Sequence, residues 1–337
     1  METHAEPAVK NNVQFGTAAK IALLRQAVRK APASETLRFE LSEALAELGE
    51  AAEAATVFRE AFILHPGAFA TPWTVPADDQ DQPNPRCADK ARERALSLIQ
   101  HGVIFSSVIA ALAIGEAFRS NDGEVRKLLD YDRFFRVGTI VSPADWNLDE
   151  FNSALADEIR SDLRFYDVPA DRSIRKAWRN NRILDSDQPV SKALSKALRA
   201  AVEQYITQLP SDDSHPFIAS RPCRFTLRGW AVVSDGESYH RSHIHPEAWM
   251  SGVYYVARPP VSREPDSRRG WLSVAPPRHI LGSAGSSGWE SRFVEPEPGN
   301  LVLMPGYFYH QTHPMGVDEE RICVAFDVVP DELLSSK

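Results

Sequence analysis

The chain has 337 residues, of which 43% are hydrophobic and 25% charged, with a net charge of −8. That is the composition of a globular protein long enough for two domains, and its acidity argues against a generic nucleic-acid or anionic-membrane surface. Cys87, Cys223 and Cys323 are odd in number and widely spaced. They suit neither a disulfide framework nor a zinc spacing, so a reducing cytoplasm is expected.

Met1 to Gly16 lacks the basic start and apolar core of a secretory signal. Leu24 and Phe58, Ala27 and Ala61, and Pro32 and Pro66 recur at a 34-residue offset, the tetratricopeptide period. Glu35 to Gly67 fits one such helix-turn-helix unit, with Gly49 at the turn and Ala54, Phe58 and Ala61 facing back from the second helix. Residues 17–32 resemble the second half of an earlier unit. A helical region over 1–67 follows, more simply a hairpin packed on the rest of the protein than a peptide-binding solenoid. Pro66 to Pro85, rich in proline and acids, reads as a linker or surface loop. Helix resumes at Ala88 to Gln100. The apolar run Val103 to Gly115 is shorter than the ~20 residues a bilayer requires and predicts a buried helix. Another helix is expected over Glu116 to Asp130, so 68–127 is assigned to linker and packing helices.

From 128 to 337 the pattern changes. A short strand is expected at Val137 to Val141, then helices over Leu148 to Leu163, capped by Asn147, and Val190 to Leu209. The basic stretch Arg172 to Arg182, with Trp178 inside it, reads as a solvated helix and loop face. Short apolar runs then follow between Gly, Pro and Ser: Arg224 to Val233, Trp249 to Val256, Trp271 to Val274, Asn300 to Met304 and Ile322 to Val329. Such punctuation indicates a β sandwich or barrel, making the whole chain α+β.

Six of the ten histidines lie between His240 and His313. His243 and His245 stand at i and i+2, so an extended backbone points both to one face. His310 follows a separate strand-like run and can converge on the same ion. Three such ligands close one face of an octahedron and leave positions for substrate and oxygen, as in non-heme iron oxygenases. Arg321 begins the next strand and can pair bidentately with a carboxylate beside the metal. His245-Pro246-Glu247 offers a second register, with Glu247 replacing His243. His240 suits either a hydrogen bond to a ligand or an exposed strand end, and His313 is given no metal role. His279 leads into Gly282 to Gly288, a surface excursion or a lid. One of Tyr254 and Tyr255 faces the site, and Trp230, Trp249 and Trp271 suit core or pocket walls.

His-x-His-Pro, Trp-x-Ser-Gly-Val-Tyr-Tyr-Val, Leu-Val-Leu-x-Pro-(x4)-His and Arg-Ile-x-x-Ala-Phe-Asp stand in this order over Leu128 to Pro330. In these motifs the chain resembles the bacterial 2-oxoglutarate-Fe(II) oxygenases, which often carry tetratricopeptide repeats ahead of the oxygenase domain. The resemblance implies a double-stranded β-helix, or jelly-roll, domain. It implies Fe(II) held by His243, His245 and His310, and 2-oxoglutarate bound by Arg321 with help from Tyr255 and from position 323. The family commonly has Ser there, where this chain has Cys323. The implied reaction consumes O2 and hydroxylates a C–H of a peptide, protein or small metabolite, releasing succinate and CO2. Two rivals are a three-histidine dioxygenase working without 2-oxoglutarate, which Arg321 argues against, and a non-catalytic interaction protein.

Overall fold

Helix formers separated by short breakers fill the first part of the chain, and short β-branched and aromatic runs fill the second. The computed structural model describes residues 6–69, 85–143, 146–161, 174–258, 268–282, 288–316 and 320–334. The helices are α1 (Glu6–Lys30), α2 (Glu35–Leu48), α3 (Ala51–Leu64), α4 (Pro85–Gln100), α5 (Ser106–Phe118) and α6 (Asp122–Leu128). They continue as α7 (Tyr131–Phe134), α8 (Leu148–Ser161), α9 (Pro189–Gln208), α10 (Pro216–Ala219), α11 (Arg278–Leu281) and α12 (Asp331–Leu334). The strands are β1 (Arg136–Thr139), β2 (Ile174–Asn180), β3 (Phe225–His243), β4 (Met250–Ala257) and β5 (Leu272–Val274). The last four are β6 (Arg292–Val294), β7 (Asn300–Pro305), β8 (His310–Thr312) and β9 (Arg321–Pro330).

Ser34 starts α2 by accepting a hydrogen bond from the Leu37 amide, and Gly49 ends it with a φ of 93°, in the left-handed region. The chain then turns directly into α3. Ala44, Ala54 and Ala61 are fully buried, so small side chains allow the close approach within the helical region. Phe58, Phe62 and Phe69 join the same continuous buried cluster as α5 and the sheet. Helix α5 occupies the apolar run predicted as a buried helix, and Ser106 through Ala117 are all buried. Its Ser106 Oγ donates to Ala248 O at 2.6 Å, fastening the helical layer to the loop after His245. Asn147 caps α8 as expected, its Oδ1 accepting from Glu150 N at 2.9 Å. Among the described residues, no helix is long and apolar enough to cross a membrane.

The strands pair antiparallel in the order β1-β7-β4-β9-β3-β8-β5-β6, with β2 also on β3. Strand β3 joins two halves of this arrangement. Its residues Phe225 to Ser234 pair with β9, whereas His240 and His243 pair with Thr312 and His310 of β8. Gly252 of β4 leaves room for the ring of Phe326 on β9; a Cβ there would meet that ring at 2.3 Å.

Several expectations need correcting. Residues 174–180 of the basic stretch form a strand rather than a helix and loop, because β3 offers them a hydrogen-bonding edge. Residues 172–173, the acidic loop 77–83 and residues 283–287 of the Gly/Ser loop lie outside the described residues. The helix expected over 116–130 is interrupted: α5 ends at Phe118 and α6 starts at Asp122. The strand expected to stop at Val233 runs on to His243, and the three-residue strands β6 and β8 had no sequence signal.

A candidate metal and dicarboxylate site

The alternation of β3 and the pairing of β8 bring the histidines together. His243 ends β3 and lies directly opposite His310, the first residue of β8. His245 follows two residues on, its backbone N–H donating to Gly306 O at 2.9 Å. Ring centroids are 4.4 Å apart for His243 and His310, 5.0 Å for His245 and His310, and 5.2 Å for His243 and His245. One potential ligand nitrogen from each falls within 4.8 Å of the other two. Among the described residues this is the group of His, Cys, Asp and Glu that converges in this way. Glu247 lies outside it, its Oε1 accepting from Arg228 Nη1 at 3.1 Å.

Each imidazole has its Nδ1 turned to an acceptor. The partners are Arg241 O at 2.7 Å for His243, Phe308 O at 2.9 Å for His310 and Asp327 Oδ1 at 2.6 Å for His245. A carbonyl or carboxylate oxygen can only accept, so each Nδ1 carries a proton and each Nε2 is the nitrogen left to face an ion. Outer partners of this kind fix ring orientation in metal sites. Burial, followed by the neighbouring His245, pushes the His243 pKa down to about 3. His310 is lowered strongly too, by burial first and then by His243 and His245. The His243 and His310 rings are therefore held neutral, the form that ligates iron, nickel or zinc.

On β9, Arg321, Cys323, Ala325 and Asp327 alternate onto one face and line the same cavity of about 1050 Å³. Arg321 is only 1% exposed, an unusual place for a cation. Its Nε donates to Ser234 Oγ at 3.2 Å and its Nη1 to Gly270 O at 2.7 Å, both uncharged acceptors. Among the described residues no carboxylate pairs with it. Tyr255 lies on this cavity too, and its buried hydroxyl has no hydrogen-bond partner among the described residues. Tyr254 points the other way, donating to Asn152 Oδ1 at 2.6 Å. Burial raises the Tyr255 phenol and Cys323 thiol pKa values, and Arg321 opposes both shifts. A buried cation without a counter-ion and an orphaned phenol beside it fit a small dianion, and the three lone pairs fit a metal ion.

The remaining singled-out residues also have clear places. His240 is half-buried at the cavity, with Nδ1 3.1 Å from Thr312 Oγ1. His279 lines the cavity from α11, and His313 stands apart from the ligand group, its buried Nε2 without a hydrogen-bond partner among the described residues. Trp230 stacks on the His245 ring at 5.9 Å and 10°, whereas Trp249 is core, its Nε1 donating to Phe217 O at 2.9 Å. Two contributors were missed by sequence reasoning. Asp327 holds His245 and also accepts from Ser251 Oγ at 2.8 Å, while Ser234 braces Arg321. Asp327 ends the Arg-Ile-x-x-Ala-Phe-Asp motif, and its even spacing from Arg321 on one strand was an available signal.

Residues 228–327 match the family model described as "Putative 2OG-Fe(II) oxygenase". No curated protein matches the chain. Among solved structures, a prolyl-4-hydroxylase from Pseudomonas putida is similar at 17% identity, covering 60% of this chain and 96% of that one, with a TM-score of 0.40. A prolyl hydroxylase from Trichoplax adhaerens, in complex with a hypoxia inducible factor peptide fragment, is 12% identical over 65% of this chain and 93% of that one, with a TM-score of 0.42. HygX from Streptomyces hygroscopicus, with nickel, 2-oxoglutarate and hygromycin B bound, is 15% identical over 61% and 86%, with a TM-score of 0.40. No residue role is taken from these distant likenesses. The matched segment itself contains His243, His245, His310 and Arg321, and with the three-histidine cluster it supports a 2-oxoglutarate- and Fe(II)-dependent oxygenase activity.

Proposed function

We propose that His243, His245 and His310 hold the Fe(II), and that Arg321 binds the distal carboxylate of 2-oxoglutarate with the Tyr255 hydroxyl as a further donor. The observation that carries this is the opposition of three imidazole lone pairs to a buried guanidinium with no anionic partner, in one cavity. Cys323 stands where a hydroxyl would donate more strongly, so the arginine carries most of the grip. When bound, Fe(II) supplies the O2 chemistry that couples conversion of 2-oxoglutarate to succinate and CO2 with hydroxylation of a substrate C–H. This chain's residues keep the ligand nitrogens deprotonated, orient the dicarboxylate and exclude bulk water. Three neutral imidazoles leave the metal charge for the cosubstrate dianion to cancel.

The two-part sheet joined by β3 supports a double-stranded β-helix over 128–337. The 34-residue recurrence and the α2–α3 hairpin support tetratricopeptide character over 1–67, with packing helices in 68–127. The substrate is a peptide, protein or small metabolite C–H, and three free cysteines favour a cytoplasmic setting. Anaerobic titration, following the absorption that a chelated 2-oxo acid gives with Fe(II), tests the assignment. Charge-assisted bonds are worth roughly 1.5–3 kcal/mol each, so Arg321→Ala should weaken 2-oxoglutarate by about 10²-fold or more, and Arg321→Lys by less. A wild-type protein that binds Fe(II) but shows no affinity for 2-oxoglutarate would refute this reading.

A further inference from the structure

The alternation of β9 that brings Arg321 and Asp327 to the cavity also brings Cys323, one same-face step from the arginine, or about 6.6 Å along the strand. Further along that face, Asp327 holds His245 at the metal end. A dicarboxylate stretched from Arg321 toward the histidines therefore runs past the Cys323 sulfur. The register partners of Cys323 are Val232 on β3 and Tyr255 on β4, and both line the cavity. Two observations beside the thiol point to an anionic ligand. Arg321 is buried on uncharged acceptors, and the buried Tyr255 hydroxyl has no hydrogen-bond partner among the described residues. Cosubstrate binding gives the thiol little to do, since it is a weak hydrogen-bond donor.

We propose that Cys323 is a modification site that covalently captures short α,β-unsaturated dicarboxylates and so blocks the cosubstrate pocket. The proposal rests on the cosubstrate reading above. Such a ligand offers Arg321 the same carboxylate as 2-oxoglutarate does, and it sets a C=C bond where 2-oxoglutarate has saturated carbon. The sulfur adds to one carbon as the π bond breaks, and the thiol hydrogen ends on the neighbouring carbon. Nothing is oxidised or reduced, and no group leaves. The product is a thioether that keeps both carboxylates and occupies the place of the dicarboxylate. Burial pushes the Cys323 thiol pKa up, so a reagent that merely diffuses in reacts slowly. An ion pair with Arg321 changes this by holding the alkene against the sulfur, which converts an encounter into a reaction between neighbours. The other cysteines supply the contrast. Cys223 is exposed and Cys87 partly buried, and neither lines this cavity. Plain thiol reactivity therefore favours Cys223, whereas capture in the pocket favours Cys323.

The test incubates the full-length protein, loaded with Mn(II), with fumarate and reads adducts by intact mass and peptide mapping. A single fumarate should add at Cys323, about tenfold or more faster than at exposed Cys223, because a held reactant gains effective concentration. Excess 2-oxoglutarate should suppress the adduct at Cys323 and leave any at Cys223 unchanged. Arg321→Ala should lose the preference for Cys323, and Cys323→Ser should carry no adduct in the pocket. Wild type already modified at Cys323 should no longer bind 2-oxoglutarate. The wild-type arms alone decide the matter if a variant does not fold. No adduct at Cys323, faster addition at Cys223, or a Cys323 adduct indifferent to 2-oxoglutarate overturns the proposal. A wild type without affinity for 2-oxoglutarate would instead sink the cosubstrate assignment. One that binds 2-oxoglutarate but is never alkylated sinks the capture alone, so the two failures are read separately.

Discussion

Asp327 gives the sharpest check on how the metal site is built. Its Oδ1 accepts from His245 Nδ1 at 2.6 Å and from Ser251 Oγ at 2.8 Å, and the residue is 8% exposed. Asp327→Ala removes the acceptor that fixes the His245 tautomer, allowing the proton to move to Nε2, where it blocks the lone pair. Loss of such an outer partner typically costs 10–100-fold in metal affinity, or about 1.4–2.7 kcal/mol. Asp327→Asn can still turn an amide oxygen to Nδ1, so its loss should be smaller. Ser251→Ala removes only the second bond to the carboxylate and should cost least. Anaerobic Fe(II) titration orders the variants, and thermal melts without metal separate binding from folding. A folded Asp327→Ala protein with wild-type Fe(II) affinity would show that His245 is oriented by something else, and the argument would fail.

In the same titration His243→Ala and His310→Ala should abolish stoichiometric Fe(II) binding and His245→Ala should weaken it severely. Glu247→Ala, which breaks the ion pair with Arg228, should leave it largely intact; the reverse order would move the triad to the other register. A chain starting at Leu128 loses α5, whose buried face is part of the sheet's own core, so aggregation on expression is expected. A soluble, metal-binding product would show that the two regions fold separately. Fully buried His215 is held neutral between Lys127 O and the Phe217 amide, and burial lowers its pKa to about 4. Its folded pKa lies below the ordinary ~6.5, so its contribution to stability is complete above that pH and is lost as pH falls toward 4. The melting-temperature gap between wild type and His215→Gln should shrink over that window, and a constant gap would refute this.

The site was more legible in the sequence than the sheet that carries it. His243, His245, His310 and Arg321 are read from strand alternation and motif order, both local properties. The helical hairpin was legible for the same reason: Gly49 and the alanine spacing are local signals. Strand β2 was not, because its cationic composition suits a solvated surface and only the partner strand makes it β. The second half of β3 was missed because Ser234-Asp-Gly-Glu-Ser-Tyr239 has turn composition, and pairing with β2 and β8 overrides that propensity. Asp327 could be placed on the Arg321 face, but not against His245, without the packing of β9 on the loop after β3. Nothing near His65 or Gly67 marks them as cavity-lining residues, since that depends on how α3 docks.

The length of β3 has a consequence for how this protein can diversify. Arg228 on the cavity wall, Ser234 beside Arg321 and the proposed ligand His243 all hang from one strand. Between Phe225 and Ser234 its pairing with β9 is unbroken, so an insertion or deletion of one residue between Arg228 and Ser234 would rotate everything beyond it to the opposite face. The Arg228 wall and the Ser234–Arg321 contact would then be put out of phase, even with every side chain retained. Drift in length is therefore confined to segments outside this paired stretch, such as the register shift between His240 and His243, while the stretch itself acts as a fixed ruler against which change must come by substitution alone.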